Sequence, residues 1–436
     1  MALLLKNAHV IDPQTGLNEV CEILVRDGRI AEVGHDLEMP KGIERDLEGK
    51  IVLPGLVDMH VHLRDPGQEY KEDIETGTRA AARGGFTDVC CMPNTLPTID
   101  TGSVVEYVRS KARAHAACRV HVSGACTKGL GGEVLSEMGD MVSHGAVAFT
   151  DDGRGVQGAG TMRRVMEYAS QFGRVVMSHC QDEDLVGAGQ MNEGAVSTRL
   201  GLAGWPAAGE ELQIARDMEI GRLTACPLHI QHLTTARGLD MVRRGKAEGV
   251  RVTCEVTPHH LFLTEEAVGD SYDTNMKVNP PLRTAADAAA LIEGLVDGSI
   301  DCIVTDHAPH AAYEKAREFE RAPFGMTGLE TVLGAVVGNL VNPGIISWER
   351  LVELMAVNPR AILGIERVAI EPGSRADLTV IDPDLVWEVL PDGFESKSRN
   401  CGFIGWRLTG RATDVYVGGY ATMEDGRVLD GPAHLD

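Results

Sequence analysis

The middle of the chain alternates short apolar runs with amphipathic stretches, and this alternation restricts the fold more than any other feature. Helical periodicity covers residues 73–83, 161–172, 210–222 and 285–295. The apolar runs read as strands that end at His62, Pro93, Cys126, Thr150, Cys180, His232, Pro258 and His307. Eight strand–helix alternations over residues 54–365 predict an α/β fold, a (β/α)8 TIM-like barrel.

The two ends of the chain are rich in short strands and turns instead. Strand patterns cover residues 3–10, 21–25 and 30–33 near the start, and 376–381, 386–389, 412–417 and 420–423 near the end. We interpret residues 1–53 and 366–436 as one composite β-sandwich domain formed by the N- and C-terminal segments. Two separate β pieces would give the same pattern.

Composition restricts the partners and the compartment. A net charge of -23 over 436 residues argues against nucleic-acid binding, which usually needs a basic face. No apolar run reaches the roughly 20 residues of a membrane span, and the start of the chain lacks the basic region of a signal peptide. Ten cysteines without CxxC pairs predict reduced thiols. We therefore expect a cytoplasmic protein with no nucleic-acid and no membrane partner.

Histidine or aspartate follows the apolar run of five of the eight predicted strands. In the first strand, His60 and His62 lie two residues apart, so both side chains project from one face. The full set is His60 and His62 in the first strand, Asp151 and Asp152 after the fourth, His179 after the fifth, His232 after the sixth and Asp306 after the eighth. Because the active site of such a barrel lies at the carboxyl ends of its strands, we expect these residues to converge.

These residue types together predict a metal site. Imidazole and carboxylate are zinc ligands, and four histidines with two carboxylates could hold two divalent ions, one carboxylate bridging them. Binuclear sites recur in enzymes that activate water for hydrolysis. Taken singly, His179 and His232 could be structural, Asp151 or Asp152 could cap a turn, and Asp306 could cap a helix. Their joint placement at strand ends favours the metal site.

Other polar segments have weaker interpretations. His229 lies three residues before His232 and faces the opposite side of a strand, so we assign it to packing or to a contact with a helix. His259 and His260 follow the seventh strand, where they could orient a ligand or be structural. Residues 311–322 are heavily charged, and we interpret them as a solvated helix. The alternative is a mobile cover over the site.

Several motifs resemble the dihydroorotases of the amidohydrolase superfamily. The similarity is strongest at Asp58-Met-His-Val-His-Leu-Arg-Asp-Pro-Gly67 and at Thr305-Asp-His-Ala-Pro-His310. Further similar segments are Met92-Pro-Asn-Thr95, Ser178-His-Cys180, Val278-Asn-Pro-Pro-Leu-Arg283 and Pro323-Phe-Gly325. The resemblance extends over essentially the whole chain. It is to the bacterial form in which an aspartate bridges a binuclear metal site.

The resemblance implies an activity and a set of metal ligands. The reaction would be the reversible hydrolysis of the cyclic amide of dihydroorotate to N-carbamoyl-aspartate in pyrimidine synthesis, with two zinc ions per subunit. By motif, His60 and His62 would bind one zinc, and His179 and His232 the other. Asp152 would bridge the two ions. Asp306 would ligate the first zinc and act as the catalytic proton shuttle.

The resemblance also implies how a substrate is held. Arg64, Asn94 and His310 would bind the substrate carboxylate, with His62 beside them. Asn279 and the backbone of Phe324 and Gly325 would contact the ring. Many relatives bridge their metals with a carboxylated lysine, but here Thr150-Asp151-Asp152 occupies that strand end. The choice of Asp152 over Asp151 therefore rests on the resemblance, and the absent lysine argues against a hydantoinase or dihydropyrimidinase.

Two alternative functions remain open at this point. One is another cyclic-amide hydrolase such as an allantoinase, although Arg64 and Asn94 favour a substrate with a carboxylate. The other is an inactive dihydroorotase-like subunit that scaffolds aspartate transcarbamoylase, which the complete ligand set argues against. The expected partners are a small-molecule substrate, a homo-oligomer of this chain, and aspartate transcarbamoylase as an optional partner.

Overall fold

The computed structural model describes residues 2–39 and 41–430. Its strands are β1 (Ala2–Asp12), β2 (Leu17–Arg26), β3 (Arg29–Gly34), β4 (Ile43–Asp46), β5 (Ile51–Pro54), β6 (Leu56–Val61), β7 (Phe86–Cys91), β8 (Arg119–Gly124), β9 (Ala146–Phe149), β10 (Val175–Ser178), β11 (Met191–Asn192), β12 (Gly204–Trp205), β13 (Leu228–Ile230), β14 (Val252–Val256), β15 (Cys302–Ile303), β16 (Leu378–Glu388), β17 (Arg407–Val417), β18 (Tyr420–Glu424) and β19 (Arg427–Val428).

Helices cover much of the chain between β6 and β16. They are α1 (Ile74–Arg83), α2 (Gly102–His115), α3 (Met138–Ser143), α4 (Ala159–Ser170), α5 (Glu183–Val186), α6 (Ala195–Leu200), α7 (Ala207–Thr224), α8 (Ala236–Ala247), α9 (Pro258–Phe262), α10 (Ala285–Asp297), α11 (Ala312–Lys315), α12 (Val332–Val336), α13 (Trp348–Val352) and α14 (Asn358–Leu363). Two π-helical segments, Val337–Val341 and Glu353–Val357, follow α12 and α13 directly. Among the described residues, no helix is both long and apolar enough to cross a membrane.

Eight parallel strands form a barrel in the order β6-β7-β8-β9-β10-β13-β14-β15. The barrel closes where Val61 pairs with His307, and the His62 N–H donates to the His307 carbonyl at 2.9 Å. Every residue of β6, β7, β9 and β10 is buried, which is typical of parallel strands covered on both faces. The predicted (β/α)8 barrel is confirmed.

The helices around the barrel begin at capping residues that the sequence provides. Asp73 accepts a hydrogen bond from the Thr76 N–H at 2.8 Å and starts α1. Thr284 and Asp287 form a reciprocal capping box at the start of α10, which ends before Gly298 in the left-handed conformation at φ 83°. The four predicted helical stretches correspond to α1, α4, α7 and α10, with ends within three residues of the prediction.

A separate, largely antiparallel sheet joins the two ends of the chain. Its nine strands run in the order β19-β18-β17-β16-β5-β1-β2-β3, with β4 paired to β1. The junction is the antiparallel pairing of β5 with β16, in register from Ile51↔Ile381 to Pro54↔Leu378. The composite β domain is therefore confirmed, and two separate β pieces are excluded. The division at residues 53/54 and 365/366 stays a prediction.

One strand of this sheet differs from the sequence interpretation. The patterns at 376–381 and 386–389 predict two strands, but β16 runs continuously from Leu378 to Glu388. Its register with β17 shifts between Asp382 and Val386. The Asp382 carboxylate accepts the backbone N–H groups of Asp384 and Leu385, both at 3.1 Å, and so stabilises an irregularity that resembles a turn in the sequence.

Candidate active site

A cavity of about 210 Å³ opens beyond the carboxyl ends of the barrel strands. Its lining residues are His62, Arg64, Asn94, Asp152, Gly153, His179, His232, Asn279, Asp306, Ala308, His310, Phe324 and Gly325. Every residue predicted for the site lines this cavity except His60. The His60 side chain is fully buried, and its Nε2 lies 3.3 Å from Asp152 Oδ1 in the cavity wall. The structure thus brings all twelve predicted residues together.

Four side chains form one group of potential metal ligands. His60 Nε2 lies 3.3 Å from Asp152 Oδ1 and 3.5 Å from Asp306 Oδ1. His62 Nε2 lies 3.5 Å from Asp152 Oδ2 and 3.0 Å from Asp306 Oδ1. Ligand atoms about 2.1 Å from a tetrahedral zinc are about 3.4 Å from one another, so these spacings fit a shared ion.

A second group shares the same bridging carboxylate. His179 Nδ1 lies 3.3 Å from Asp152 Oδ1 and 2.8 Å from His232 Nε2, and His232 Nε2 lies 3.8 Å from the same oxygen. The Oδ1 atom of Asp152 is buried and has no hydrogen-bond partner among the described residues. Two imidazole nitrogens and an unpartnered carboxylate oxygen that converge on one point suit a cation, which would replace the proton shared by His179 and His232.

The outer ring nitrogens of three of these histidines donate to fixed acceptors. His60 Nδ1 donates to Glu255 Oε1 at 2.6 Å, and His62 Nδ1 donates to Asn94 Oδ1 at 2.9 Å. His179 Nε2 donates to Gln181 Oε1 at 3.1 Å. Each bond places the proton on the nitrogen that faces away from the cluster, and the inner nitrogen keeps its lone pair for a metal.

Two residues of the cluster have the protonation state that ligation needs. Burial would raise the pKa of Asp152, but the imidazoles of His60 and His179 hold it well below its ordinary value. Burial, together with the neighbouring imidazoles of His179 and His60, lowers the pKa of His232 far below its ordinary value. Asp152 is therefore an anion and His232 a neutral imidazole, as metal ligands must be. Although burial opposes it, neighbouring carboxylates raise the pKa of His60 and His179, so a cation competes there with a second proton.

Three side chains of the site project from unusual backbone conformations. Arg64, His232 and Asp306 have φ angles of 58°, 30° and 45°, in the left-handed region that residues with a Cβ rarely adopt. Each lies two or three residues after the end of a barrel strand. Strain of this kind, of the order of 1–3 kcal/mol per residue, concentrates at functional sites where the surrounding fold enforces it.

The structure distinguishes the two adjacent aspartates after the fourth barrel strand. Asp152 belongs to two of the three sets of described side chains that could hold an ion; the third set is His60, His232 and Asp306. Asp151 accepts the Thr127 N–H at 3.0 Å and also the Thr127 hydroxyl, and it lies outside all three sets. The side chain of Asp151 thus connects two barrel loops, while that of Asp152 enters the cavity.

The cavity wall opposite the ligands carries the predicted carboxylate-binding residues. Arg64 is buried, and its Nε donates to the Pro309 carbonyl at 3.2 Å. His310 Nε2 donates to the Phe324 carbonyl at 2.7 Å, and its Nδ1 lies 3.4 Å from Lys71 Nζ. Burial and the neighbouring cations Arg64 and Lys71 lower the pKa of His310, so its imidazole is neutral. Among the described residues that line this cavity, Arg64 is therefore the cation, and Lys71 lies behind His310.

Asn279 connects the second ligand group to the cavity. Its Nδ2 donates to Gln181 Oε1 at 2.7 Å and lies 3.3 Å from His179 Nε2. Its Oδ1 is buried and has no hydrogen-bond partner among the described residues. Asn279 thus offers an acceptor that a ligand N–H can use.

Sequence reasoning missed several residues that support the ligands. Glu255 is fully buried in β14, and although burial opposes it, the imidazoles of His60 and His229 lower its pKa to about 2. Gln181 is the acceptor for His179. Asp58 accepts the backbone N–H groups of His60 and Thr305 at 3.1 Å each. The available signal was a glutamate or aspartate within an apolar strand, where a charge needs a buried partner.

The weaker interpretations have mixed outcomes. His229 does lie outside the ligand groups, but it donates to Glu255 Oε2 at 3.0 Å and is not merely packed. His260 is structural, because it lies 2.7 Å from the Thr257 hydroxyl and donates to the Pro280 carbonyl at 2.9 Å.

The predicted solvated helix over 311–322 is wrong. Only α11, Ala312–Lys315, is helical there, and Lys315, Phe319 and Ala322 are buried. The Lys315 ammonium donates to the Thr274 carbonyl at 2.7 Å and to the Pro323 carbonyl at 2.9 Å. A buried lysine thus holds this segment in place beside the cavity.

Comparisons with known proteins show which sequences and folds this chain resembles. A family model described as "Dihydro-orotase-like" matches residues 49–237. A protein of Geobacter metallireducens named dihydroorotase is 51% identical over 96% of this chain and 99% of its own length. One of Pelotomaculum thermopropionicum with the same name is 50% identical over 98% of this chain and 99% of its own length.

The solved structures give the same architecture at lower identity. The L-hydantoinase (dihydropyrimidinase) from Arthrobacter aurescens superposes with a TM-score of 0.89 and 27% identity, covering 99% of this chain and 98% of that one. Its identity to this chain is about half that of the dihydroorotase relatives. The chain therefore belongs to the dihydroorotase family of cyclic amidohydrolases within the amidohydrolase superfamily.

Proposed function

We propose that this chain is a zinc-dependent dihydroorotase that interconverts dihydroorotate and N-carbamoyl-aspartate in pyrimidine synthesis. The observation that carries the proposal is the cavity itself. It joins His62, Asp152, His179, His232 and Asp306 to one buried guanidinium, that of Arg64, within about 210 Å³. A ring of dihydroorotate size that bears one carboxylate matches both the volume and the charge of this space.

Two zinc ions are the proposed cofactor. His60, His62 and Asp306 would hold one, His179 and His232 would hold the other, and Asp152 would contribute to both sites. Imidazole and carboxylate ligands at tetrahedral spacing favour zinc over magnesium or calcium, which prefer all-oxygen sites. When bound, the ions supply Lewis acidity toward the amide carbonyl and lower the pKa of water.

Asp306 has the position of a proton carrier. Its side chain lines the cavity, and its Oδ1 lies 3.0 Å from His62 Nε2. In the hydrolytic direction, its carboxylate takes a proton from the attacking water and delivers it to the departing ring nitrogen. In the cyclising direction the same carboxylate takes the proton from the carbamoyl nitrogen as it attacks the substrate carboxyl carbon, and delivers that proton to the departing hydroxide, which leaves as water.

Arg64 accounts for selection of a substrate with a carboxylate. A guanidinium binds a carboxylate through two parallel hydrogen bonds, and burial strengthens that pairing. The bond from Arg64 Nε to the Pro309 carbonyl fixes the plane of the guanidinium. Asn94 and His310 complete this wall, and for His310 a bond to the substrate would replace its bond to the Phe324 carbonyl.

The opposite face of the substrate ring meets Asn279, Phe324 and Gly325. Asn279 Oδ1 accepts a ring N–H of dihydroorotate, which satisfies a buried acceptor that has no donor within residues 2–39 and 41–430. The Phe324 and Gly325 backbone supplies the remaining contacts to the ring.

Zinc analysis combined with a substrate panel tests the proposal. The purified chain should contain about two zinc ions per subunit and should cyclise N-carbamoyl-aspartate. It should turn over dihydroorotate at least 100-fold faster, as kcat/KM, than allantoin, hydantoin or dihydrouracil. Preference for allantoin would identify the alternative hydrolase. Full zinc content without turnover of any of these compounds would indicate the scaffold subunit.

The proposal extends to partners and compartment through the family resemblance. We propose a cytoplasmic homo-oligomer that accepts aspartate transcarbamoylase as an optional partner. Light scattering of the chain alone, and of a mixture with a bacterial aspartate transcarbamoylase, measures both associations directly. A monomer that stays separate in the mixture would reject this part while leaving the catalytic proposal intact.

A further inference from the structure

Glu255 is a buried carboxylate of β14 whose hydrogen bonds reach both groups of potential metal ligands. Its Oε1 accepts the His60 Nδ1–H at 2.6 Å and the backbone N–H of His232 at 3.2 Å. Its Oε2 accepts the His229 Nε2–H at 3.0 Å. The side chain is 0% exposed. Both oxygens of this carboxylate thus accept hydrogen bonds, and the side chain lies beneath the cavity without lining it.

The two hydrogen bonds that Glu255 Oε1 accepts have different effects on His60 and His232. At His60 the bond sets the tautomer, because an ionised carboxylate only accepts and so the proton must lie on Nδ1. This leaves the Nε2 lone pair directed at Asp152 and Asp306. At His232 the bond is to the backbone, at a residue whose φ of 30° is unfavourable without external support.

The bond of Oε2 holds the carboxylate itself in place. His229 donates its Nε2–H to Glu255, so its Nδ1 is an acceptor, and that atom lies 2.8 Å from the Thr253 hydroxyl. His229 and Thr253 are directly paired across β13 and β14. A continuous hydrogen-bonded series therefore runs from Thr253 through His229 and Glu255 to His60.

We infer that Glu255, anchored by His229, is the positioning residue that couples the two metal-binding groups by fixing the His60 tautomer and the His232 backbone. Its negative charge also increases the electron density of the His60 ring, which makes that imidazole a stronger metal ligand. The inference rests on the proposed metal function and adds residues that do not contact the cavity.

The matched experiment compares two substitutions of a buried carboxylate by an amide. Glu255→Gln keeps the shape of the side chain and removes its charge. Asp12→Asn is the control, because Asp12 is also 0% exposed and accepts two backbone N–H groups, from Gln14 at 2.9 Å and Ile370 at 2.7 Å, within the composite sheet. Zinc affinity of each full-length protein is measured by competition with a chromophoric chelator.

We expect Glu255→Gln to weaken zinc binding 10- to 100-fold, the usual loss when the partner of a ligating histidine is removed. Asp12→Asn should stay within twofold of the parent, even if it unfolds at a lower temperature. The absorption spectrum of the Co²⁺-substituted protein should change in Glu255→Gln and not in the control. At saturating zinc, kcat should fall more than KM rises, because Arg64 is untouched.

The outcomes separate this inference from the proposed function. If the parent protein binds no zinc, the proposed function fails. If the parent binds zinc tightly and a folded Glu255→Gln binds it within twofold, with an unchanged Co²⁺ spectrum, only the role of Glu255 is overturned. Should Glu255→Gln not fold, His229→Gln decides instead. It removes the imidazole anchor and keeps the charge, so a 3- to 10-fold weaker affinity supports the inference and an unchanged affinity rejects it.

Discussion

His62 Nε2 lies 3.0 Å from Asp306 Oδ1, and the Nδ1 of the same ring donates to Asn94 Oδ1 at 2.9 Å. The bond to Asn94 therefore fixes the orientation of the His62 ring, with Nε2 directed at the Asp306 carboxylate. Asp306 also lines the cavity and is 7% exposed, whereas His60 is fully buried. Asp152 also lines the cavity but is only 3% exposed, so Asp306 is the more accessible of the two ligand carboxylates.

Asp306→Asn should therefore retain most of the bound zinc and lose nearly all turnover. An amide oxygen still ligates a cation, but an amide does not carry a proton at neutral pH. We expect kcat to fall by a factor of about 10² to 10⁴, the usual contribution of a general acid–base. Zinc content and steady-state kinetics in both directions measure this.

Asp301→Asn provides the control for that substitution. Asp301 lies directly before β15 and five residues before Asp306. Its carboxylate accepts a hydrogen bond from the Lys246 ammonium at 2.7 Å. Its loss should leave kcat within about twofold. If Asp306→Asn kept a tenth or more of the parental kcat with zinc in place, Asp306 would not be the proton carrier.

Substitution of Arg64 should chiefly damage substrate binding. Arg64→Lys keeps the charge but not the two parallel hydrogen bonds, so KM for dihydroorotate should rise about 10-fold. Arg64→Ala should raise it about 100-fold, consistent with roughly 1.5–3 kcal/mol for a charge-assisted bond. Arg113→Ala, at an exposed arginine paired with Glu106, is the control. An unchanged KM in Arg64→Ala would refute the role of the guanidinium.

Removal of metal should abolish activity and destabilise the fold. Without cations, the anionic Asp152 stays buried among the other ligands, and a metal that binds only the native state stabilises it by a few kcal/mol when its concentration is well above its dissociation constant. Calorimetry should show a Tm several degrees lower after chelation. Added Zn²⁺ should restore both Tm and turnover, whereas Mg²⁺ should not. Full activity after exhaustive chelation would exclude the metal mechanism.

Stability should fall as pH rises between about 5 and 7, because of Glu330. Burial raises the pKa of Glu330 from 4.5 to about 7. Since the native state then binds this proton more tightly than the unfolded state, its contribution is complete below pH 4.5 and is lost as pH rises through 7. The shift corresponds to at most about 3 kcal/mol.

Glu330→Gln tests this contribution, because an amide does not titrate. Urea unfolding at pH 5 and pH 8 should show a smaller difference in the free energy of unfolding for Glu330→Gln than for the parent. Other groups titrate in both proteins. The informative quantity is therefore how much the pH dependence of the free energy of unfolding differs between Glu330→Gln and the parent. If the free energy of unfolding changed equally between pH 5 and pH 8 in both proteins, Glu330 would not titrate with a raised pKa.

Barrel geometry explains why so much of the site was predictable from sequence. Parallel strands of a closed barrel end on one rim, so His60, His179 and His232 had to converge once the strands were recognised. No distance information was needed for that step. The composite sheet was predictable in outline for a similar reason, because short strand patterns at both ends leave edges that require a partner.

The remaining features depend on contacts that periodicity does not encode. Whether Asp151 or Asp152 enters the cavity depends on how the chain leaves β9 and on the nearby Thr127. Glu255 interrupts an apolar strand, but its partner His60 is 195 residues away. Lys315 resembles a surface residue until the carbonyls of Thr274 and Pro323 are placed around its ammonium.

The pairing of β5 with β16 has a consequence for how the protein is made. Pro54 and Leu378 are neighbours in the sheet, yet more than 300 residues separate them along the chain. At a synthesis rate of about 5–20 residues per second, the edge of β5 waits roughly 20–60 s for its partner to leave the ribosome. Until then the edge of β5 that pairs with β16 in the native sheet has no partner from the C-terminal segment, and an unpaired strand edge is a site where another chain can add.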